Sequence, residues 1–213
     1  MDRELKIKVC GMRDKENILA IAQYNPNYLG FIFYDKSKRF VGEKFEMPEI
    51  PAHIKKVGVF VDAKTDYILK KVDAYGLDTI QLHGNEPAIK CQKLKERGLE
   101  VFKVFSIGDV FDFKELIPYE FFVDYFLFDT KGPEHGGNGV TFDWSMMNRY
   151  FSHVKFILSG GIGPEHETEV VNLKFDFHKL YGIDINSKFE TAPGLKDVDK
   201  VGAFLTNLRK KHI

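Results

Sequence analysis

Eight short apolar runs, rich in β-branched and aromatic residues, recur along the chain at residues 5–9, 28–33, 56–61, 78–82, 100–106, 121–128, 155–158 and 179–183. Runs such as VGVFV and FILS are hydrophobic without a break, as strands buried on both faces are. Amphipathic helical stretches alternate with them along the whole length. Strand-then-helix units repeated eight times predict an α/β fold: one (β/α)8 TIM barrel over residues 1–213, at the compact end of that architecture. An open doubly wound sheet is the alternative. It usually needs fewer strands, and no GxGxxG follows the first run to favour it.

Helical signals are clearest at three places. Thr65 is expected to cap a helix with Ile68, Leu69, Val72 and Tyr75 on its apolar side, stopped by Gly76. Asn85 is expected to cap the next, with Pro87 in its first turn and Gly98 past its end. The last carries Val198, Val201, Phe204, Leu205 and Leu208 on one face and Arg209, Lys210 and Lys211 at its C-terminal end. Residues 34–52, interrupted by Pro48 and Pro51, predict little helix.

Charge and composition exclude several classes. Lys plus Arg equals Asp plus Glu at 31 each, so there is no overall pull toward nucleic acid or an anionic membrane. Any anion site must be local. No apolar run approaches the roughly 18 residues that span a bilayer. The segment MDRELKIKVC does not resemble a secretory signal, and the cysteines are only Cys10 and Cys91, so a reduced, cytoplasmic protein is expected. Cys91 reads as an inert helix residue. The seven histidines lack metal-ligand spacing, so no metal is expected. The 20 phenylalanines read as core.

In a closed parallel barrel, function gathers in the loops after the strands. Those loops here carry KVCGMRD, GFIFYDKSKRFV, FVDA, QLHGNE, FDTKGPEHGGNGVTFDW, LSGGIGPEH and GIDINSKFETAPGLKD. Cys10 and Asp129 each follow an apolar run, which puts a thiol and a carboxyl at the mouth. Such a pair can move a proton off carbon and onto oxygen. Cys10 can also be buried filler, and Asp129 can be a carboxylate satisfied by the loop at Gly136–Gly139. Three glycines, Gly160, Gly161 and Gly163, allow backbone N–H groups to approach an anion. Asp184, Asn186 and Ser187 of the eighth loop complete the expected phosphate set. Gln81 and His83 alternate with Leu82 and so share a face. Arg39, in a lysine-rich loop expected to be mobile without ligand, is either a surface charge or a ligand contact.

In this order, the motifs resemble the phosphoribosylanthranilate isomerase family of tryptophan biosynthesis, over nearly the whole chain. The resemblance implies an Amadori rearrangement of N-(5′-phosphoribosyl)anthranilate by a monomer or homodimer, with a small phosphosugar-anthranilate substrate and no cofactor. It makes Cys10 the general base, Asp129 the general acid, and Arg39, Gln81 and His83 substrate contacts. The chain departs from the family pattern at Lys38, often Pro; at Lys188 and Phe189, commonly Gly and Val; and at Val140, usually Lys. A different phosphosugar isomerase, or a non-catalytic phospho-ligand binder on the same barrel, are the competing readings.

Overall fold

In a computed structural model, which describes residues 4–130 and 141–211 (backbone only at 174 and 175), all eight apolar runs contribute a strand. The strands are β1 (Lys6–Val9), β2 (Tyr28–Ile32), β3 (Lys55–Phe60), β4 (Thr79–Leu82), β5 (Glu100–Ile107), β6 (Tyr125–Thr130), β7 (Lys155–Leu158) and β8 (Leu180–Ile185). They pair in chain order, all parallel, and β8 returns to β1 through Lys6↔Gly182 to Val9↔Ile185, closing the barrel. Alternation divides the side chains. Tyr28, Val57, Phe102, Val104, Leu127 and Ile157 cluster inside the barrel, while residues such as Leu29, Phe60, Ile80 and Phe128 pack outward in the larger core.

The outer layer is thinner than eight helices. Among the described residues there are five α-helices: α1 (Lys15–Ala22), α2 (Thr65–Tyr75), α3 (Ala88–Lys95), α4 (Glu167–Asp176) and α5 (Val198–Lys210). Single 3₁₀ stretches, Phe113–Tyr119 with Pro118 inside and Trp144–Arg149, cover β5 and β6 instead. No helix follows β2, as the prolines predict. That loop folds back along the strand, with Phe40 bridged to Ile32 and the Val41 N–H donating to the Ile32 carbonyl at 3.1 Å. A short hairpin, β9 (Glu190–Ala192) with β10 (Leu195–Lys196), fills the way from β8 to α5.

Three expectations are corrected. Thr65 is the first helical residue of α2, not its cap; Lys64 holds that position without a side-chain bond, while Gly76 does end the helix in the left-handed conformation. Asn85 does not cap α3, because Pro87 does, and the Asn85 N–H instead donates to Asp62 Oδ1 at 2.7 Å. The sixth strand starts four residues late. Asp124 accepts from the Val101 N–H at 2.7 Å and from Lys95 at 2.6 Å, which fixes a turn there and leaves Phe121 on the surface. The shift places Asp129 inside β6 rather than after it.

One buried ion pair organises the loops above β3 and β4. Glu86 accepts from Lys103 Nζ at 3.0 Å, from the Asp62 N–H at 2.8 Å and from the Gly84 N–H at 3.0 Å, and both members of the pair are almost wholly buried. Glu86→Ala would strand the Lys103 ammonium. We expect a loss of about 3–5 kcal/mol in urea unfolding, the usual cost of orphaning one partner of a buried pair. A loss below about 1 kcal/mol, the range of exposed pairs, would show that water reaches Lys103 and that the pair does not organise these loops.

Candidate active site

The pocket at the C-terminal mouth is built from strand ends on several sides of the barrel. Cys10 stands one residue past β1, where its N–H still donates to the Ile185 carbonyl at 2.9 Å, so its position is set by the ladder. Gly11 next to it has φ +76°, and a Cβ there would sit 2.7 Å from Asn186 Oδ1 and 2.8 Å from Arg39 Cδ. Glycine therefore lets the second and eighth loops close over the end of β1.

Two residues back on the same face of β1 lies Lys8, at the same level as Asp184 of β8. Their ion pair is 2.9 Å long and buried on both sides. Burial disfavours the Lys8 ammonium, but Asp184 and the Cys10 thiol, both hydrogen-bonded to it, outweigh that and raise its proton affinity. Burial also pushes the Cys10 thiol above its ordinary value, against the pull of the Lys8 charge and, more weakly, of Lys196.

Asp129 closes the pocket from β6. Its Oδ1 accepts from the Thr130 N–H at 2.9 Å, and its Oδ2 lies 3.3 Å from His83 Nε2. Gln81 and His83 do share the inner face of β4 and line the same pocket. The Gln81 Oε1 is buried there without a hydrogen-bond partner among the described residues. The loop Gly136–Gly139, the alternative partner for Asp129, lies outside the described residues, as does Val140.

The glycine run after β7 behaves as a cradle. Gly160 and Gly161 have φ of +84° and +68°, and a Cβ at Gly160 would overlap Thr130. Both border the pocket together with Asn186 and Ser187. One expected member of this set is placed otherwise: Gly163 does not border the pocket, and its N–H donates to His166 Nδ1 at 3.0 Å, where it begins the turn into α4. Asp184 does border it, with Oδ2 paired to Lys8 and Oδ1 buried without a hydrogen-bond partner among the described residues.

Arg39 is neither a surface charge nor loosely held. Its side chain is mostly buried, and its fork grips Glu190 of β9, with Nε 2.9 Å from Oε1 and Nη2 2.8 Å from Oε2. Lys196 of β10, buried completely, donates to Glu190 Oε1 at 2.7 Å and to Asn186 Oδ1 at 2.8 Å. Lys8, Glu190 and Lys196 were absent from the sequence-based site. Only Lys8 carries a signal: it sits two residues before Cys10 on one strand and so shares its face.

Relatives share this arrangement of chain. The family model described as N-(5′-phosphoribosyl)anthranilate (PRA) isomerase matches residues 7–207. The N-(5′-phosphoribosyl)anthranilate isomerase of Parabacteroides distasonis is 45% identical over 206 residues, covering 95% of this chain and 92% of that protein. A crystal structure of phosphoribosyl anthranilate isomerase from Thermus thermophilus superposes with a TM-score of 0.81 at 27% identity, covering 97% of this chain and 99% of that one. Another, in complex with reduced 1-(o-carboxyphenylamino)-1-deoxyribulose 5-phosphate, has a TM-score of 0.78 at 28% identity over 97% of this chain and 99% of that one. With a family match across almost its entire length and a barrel that closes as its relatives' barrels do, this chain belongs to the N-(5′-phosphoribosyl)anthranilate isomerase family.

Proposed function

We propose that the chain converts N-(5′-phosphoribosyl)anthranilate to 1-(o-carboxyphenylamino)-1-deoxyribulose 5-phosphate, with Cys10 as base and Asp129 as acid. The observation that supports this reading is the meeting of a thiol from β1, a carboxyl from β6 and a glycine cradle from the β7 loop in one pocket. Asp129 in its protonated form gives a proton to the ribose ring oxygen as the C1′–O bond breaks, leaving a C1′ iminium conjugated to the aryl nitrogen. The Cys10 thiolate takes the proton from C2′; the C2′–H electron pair becomes the C1′=C2′ double bond while the C1′=N pair returns to nitrogen, giving an enolamine. Protonation at C1′ and loss of the enol proton give the ketone. Substrate and product are isomers, so the step draws on no external electron source.

The phosphate is assigned to the backbone N–H groups around Gly160 and Gly161 with Asn186 and Ser187. At the other end the anthranilate carboxylate pairs with Arg39, and Gln81 and His83 line the span between them. Incubating the purified protein with N-(5′-phosphoribosyl)anthranilate and following the loss of anthranilate-type fluorescence tests the reading. A protein that leaves the fluorescence unchanged but still binds inorganic phosphate would be a phospho-ligand binder instead.

The raised proton affinity of Cys10 can be read directly. The ultraviolet absorbance of its thiolate, taken as the difference between wild type and Cys10→Ala, is expected to grow in with a midpoint above the ordinary cysteine value of about 8.5, because burial opposes the charged form. A midpoint well below that value would show that the Lys8 charge outweighs burial.

A further inference from the structure

The fold leaves two buried acceptors open at the pocket. Gln81 Oε1 and Asp184 Oδ1 have no hydrogen-bond partner among the described residues, although the two residues are only 2% and 5% exposed. Both residues border the pocket. A buried polar atom without a partner is costly, and more so on a charged group, so each calls for a donor brought by a ligand. An ionised carboxylate oxygen only accepts, and unlike an amide oxygen it can also carry the proton away. The reaction above has one such task unassigned: a base must remove the enol proton as the ketone forms.

Strand pairing places Asp184 beside Cys10. Lys8 of β1 is level with Asp184 of β8, and the Cys10 N–H, two residues on, donates to the Ile185 carbonyl of the same strand. The Lys8 ammonium donates to Asp184 Oδ2 at 2.9 Å and is hydrogen-bonded to the Cys10 thiol as well. Its stem runs past that thiol, since a Cβ on Gly30 would meet Cys10 Sγ at 2.8 Å and Lys8 Cε at 3.2 Å. One ammonium thus ties the thiol and the carboxylate together while using a single carboxylate oxygen. The carbon that Cys10 deprotonates, C2′, bears the hydroxyl that becomes the ketone, so the acceptor of that hydroxyl must lie close to Cys10. Asp184 is on the strand next to Cys10, whereas Gln81 is on β4, across the barrel.

We propose that Asp184 is a catalytic residue: its Oδ1 accepts from the 2′-hydroxyl of the substrate and takes that hydroxyl's proton as the enolamine becomes the ketone. This rests on the function proposed above. The O–H electron pair becomes the second C2′–O bond, the C1′=C2′ pair takes a proton at C1′ from the Cys10 thiol, and the thiolate returns. Asp129 has by then given one proton to the ring oxygen and Asp184 has gained one. Exchange with water restores both, and no redox partner is needed. Lys8 keeps the carboxylate oriented. Burial raises the proton affinity of Asp184 against the pull of Lys8, which makes it a stronger base than an exposed carboxylate.

The test pairs binding with kinetics in wild type and Asp184→Asn. Affinities are measured by calorimetry for reduced 1-(o-carboxyphenylamino)-1-deoxyribulose 5-phosphate, which has a hydroxyl in place of the product's ketone, and for its counterpart lacking that hydroxyl. Losing the hydroxyl should weaken binding to wild type about tenfold or more, and to Asp184→Asn by less than about threefold. The kcat of the variant should fall at least about tenfold, the low end for a lost base because an enol also gives its proton to water. The sign is informative. The Asp184 charge opposes the Cys10 thiolate, so a variant acting only through Cys10 would turn over faster at neutral pH, not slower. An equal contribution of the hydroxyl in both proteins overturns the proposal, and so does a kcat within about twofold of wild type. Weaker binding of inorganic phosphate by the variant would place Asp184 at the phosphate and overturn it too. Lys8→Met/Asp184→Asn strands no ammonium and carries the ligand comparison if the single variant does not fold. A wild type that leaves N-(5′-phosphoribosyl)anthranilate unconverted fells the proposed function and this proposal together; with an active wild type, the contrary results overturn this proposal alone.

Discussion

Cys10→Ala is expected to lower kcat by about 10²–10⁴-fold while the protein remains folded, the usual cost of removing a positioned base. The side chain removed is small, so the cavity left beside Gly30 is small too, and the backbone of Cys10 stays tied to Ile185. Lys8 keeps Asp184 as its partner, so no charge is orphaned. The variant should therefore bind the reduced product analogue close to wild type. If kcat stayed within a few-fold of wild type, C2′ deprotonation would belong to another group.

Asp129→Asn is expected to cost a similar 10²–10⁴-fold in kcat, because the amide has the shape of the acid but no proton of comparable acidity to give. The substitution is close to silent structurally. Asn Oδ1 can still accept from the Thr130 N–H, and the amide can still face His83. Stopped-flow and steady-state rates with N-(5′-phosphoribosyl)anthranilate, beside calorimetric affinity for the reduced product, separate chemistry from binding. A variant that kept its rate would transfer the acid role to His83, the nearest group able to carry a proton to the same point in the pocket.

Strand positions were legible because burial on both faces leaves unbroken apolar runs that few other structures require. Helix caps were less so. Thr65 and Asn85 are good capping residues by type, yet Lys64 and Pro87 take the positions because the incoming loops are fixed elsewhere, through Glu86 and Asp62. At the mouth, pocket residues that end a strand or lie in a glycine run, such as Cys10, Gln81, His83, Gly160 and Gly161, could be read from local pattern. Glu190 and Lys196 could not. Each looks like an ordinary loop charge until the chain folds, and Glu190 meets Arg39 across 151 residues of sequence. Local periodicity carries no trace of a pairing made at such range. It likewise did not show that the loop carrying Arg39 would be bridged back onto β2.

Barrel closure sets a timetable for synthesis. Lys8 leaves the ribosome 176 residues ahead of its partner, Asp184. At roughly 5–20 residues per second, the ammonium waits on the order of ten to thirty seconds for its carboxylate. During that time it is cheap in water and expensive inside. Any early collapse that zipped β1 onto the wrong neighbour, or onto β8 one residue out of step, would bury Lys8 without Asp184 and forfeit several kcal/mol. Burial of β1 thus favours waiting for β8, and the pocket around Cys10 cannot be complete before that strand has been made.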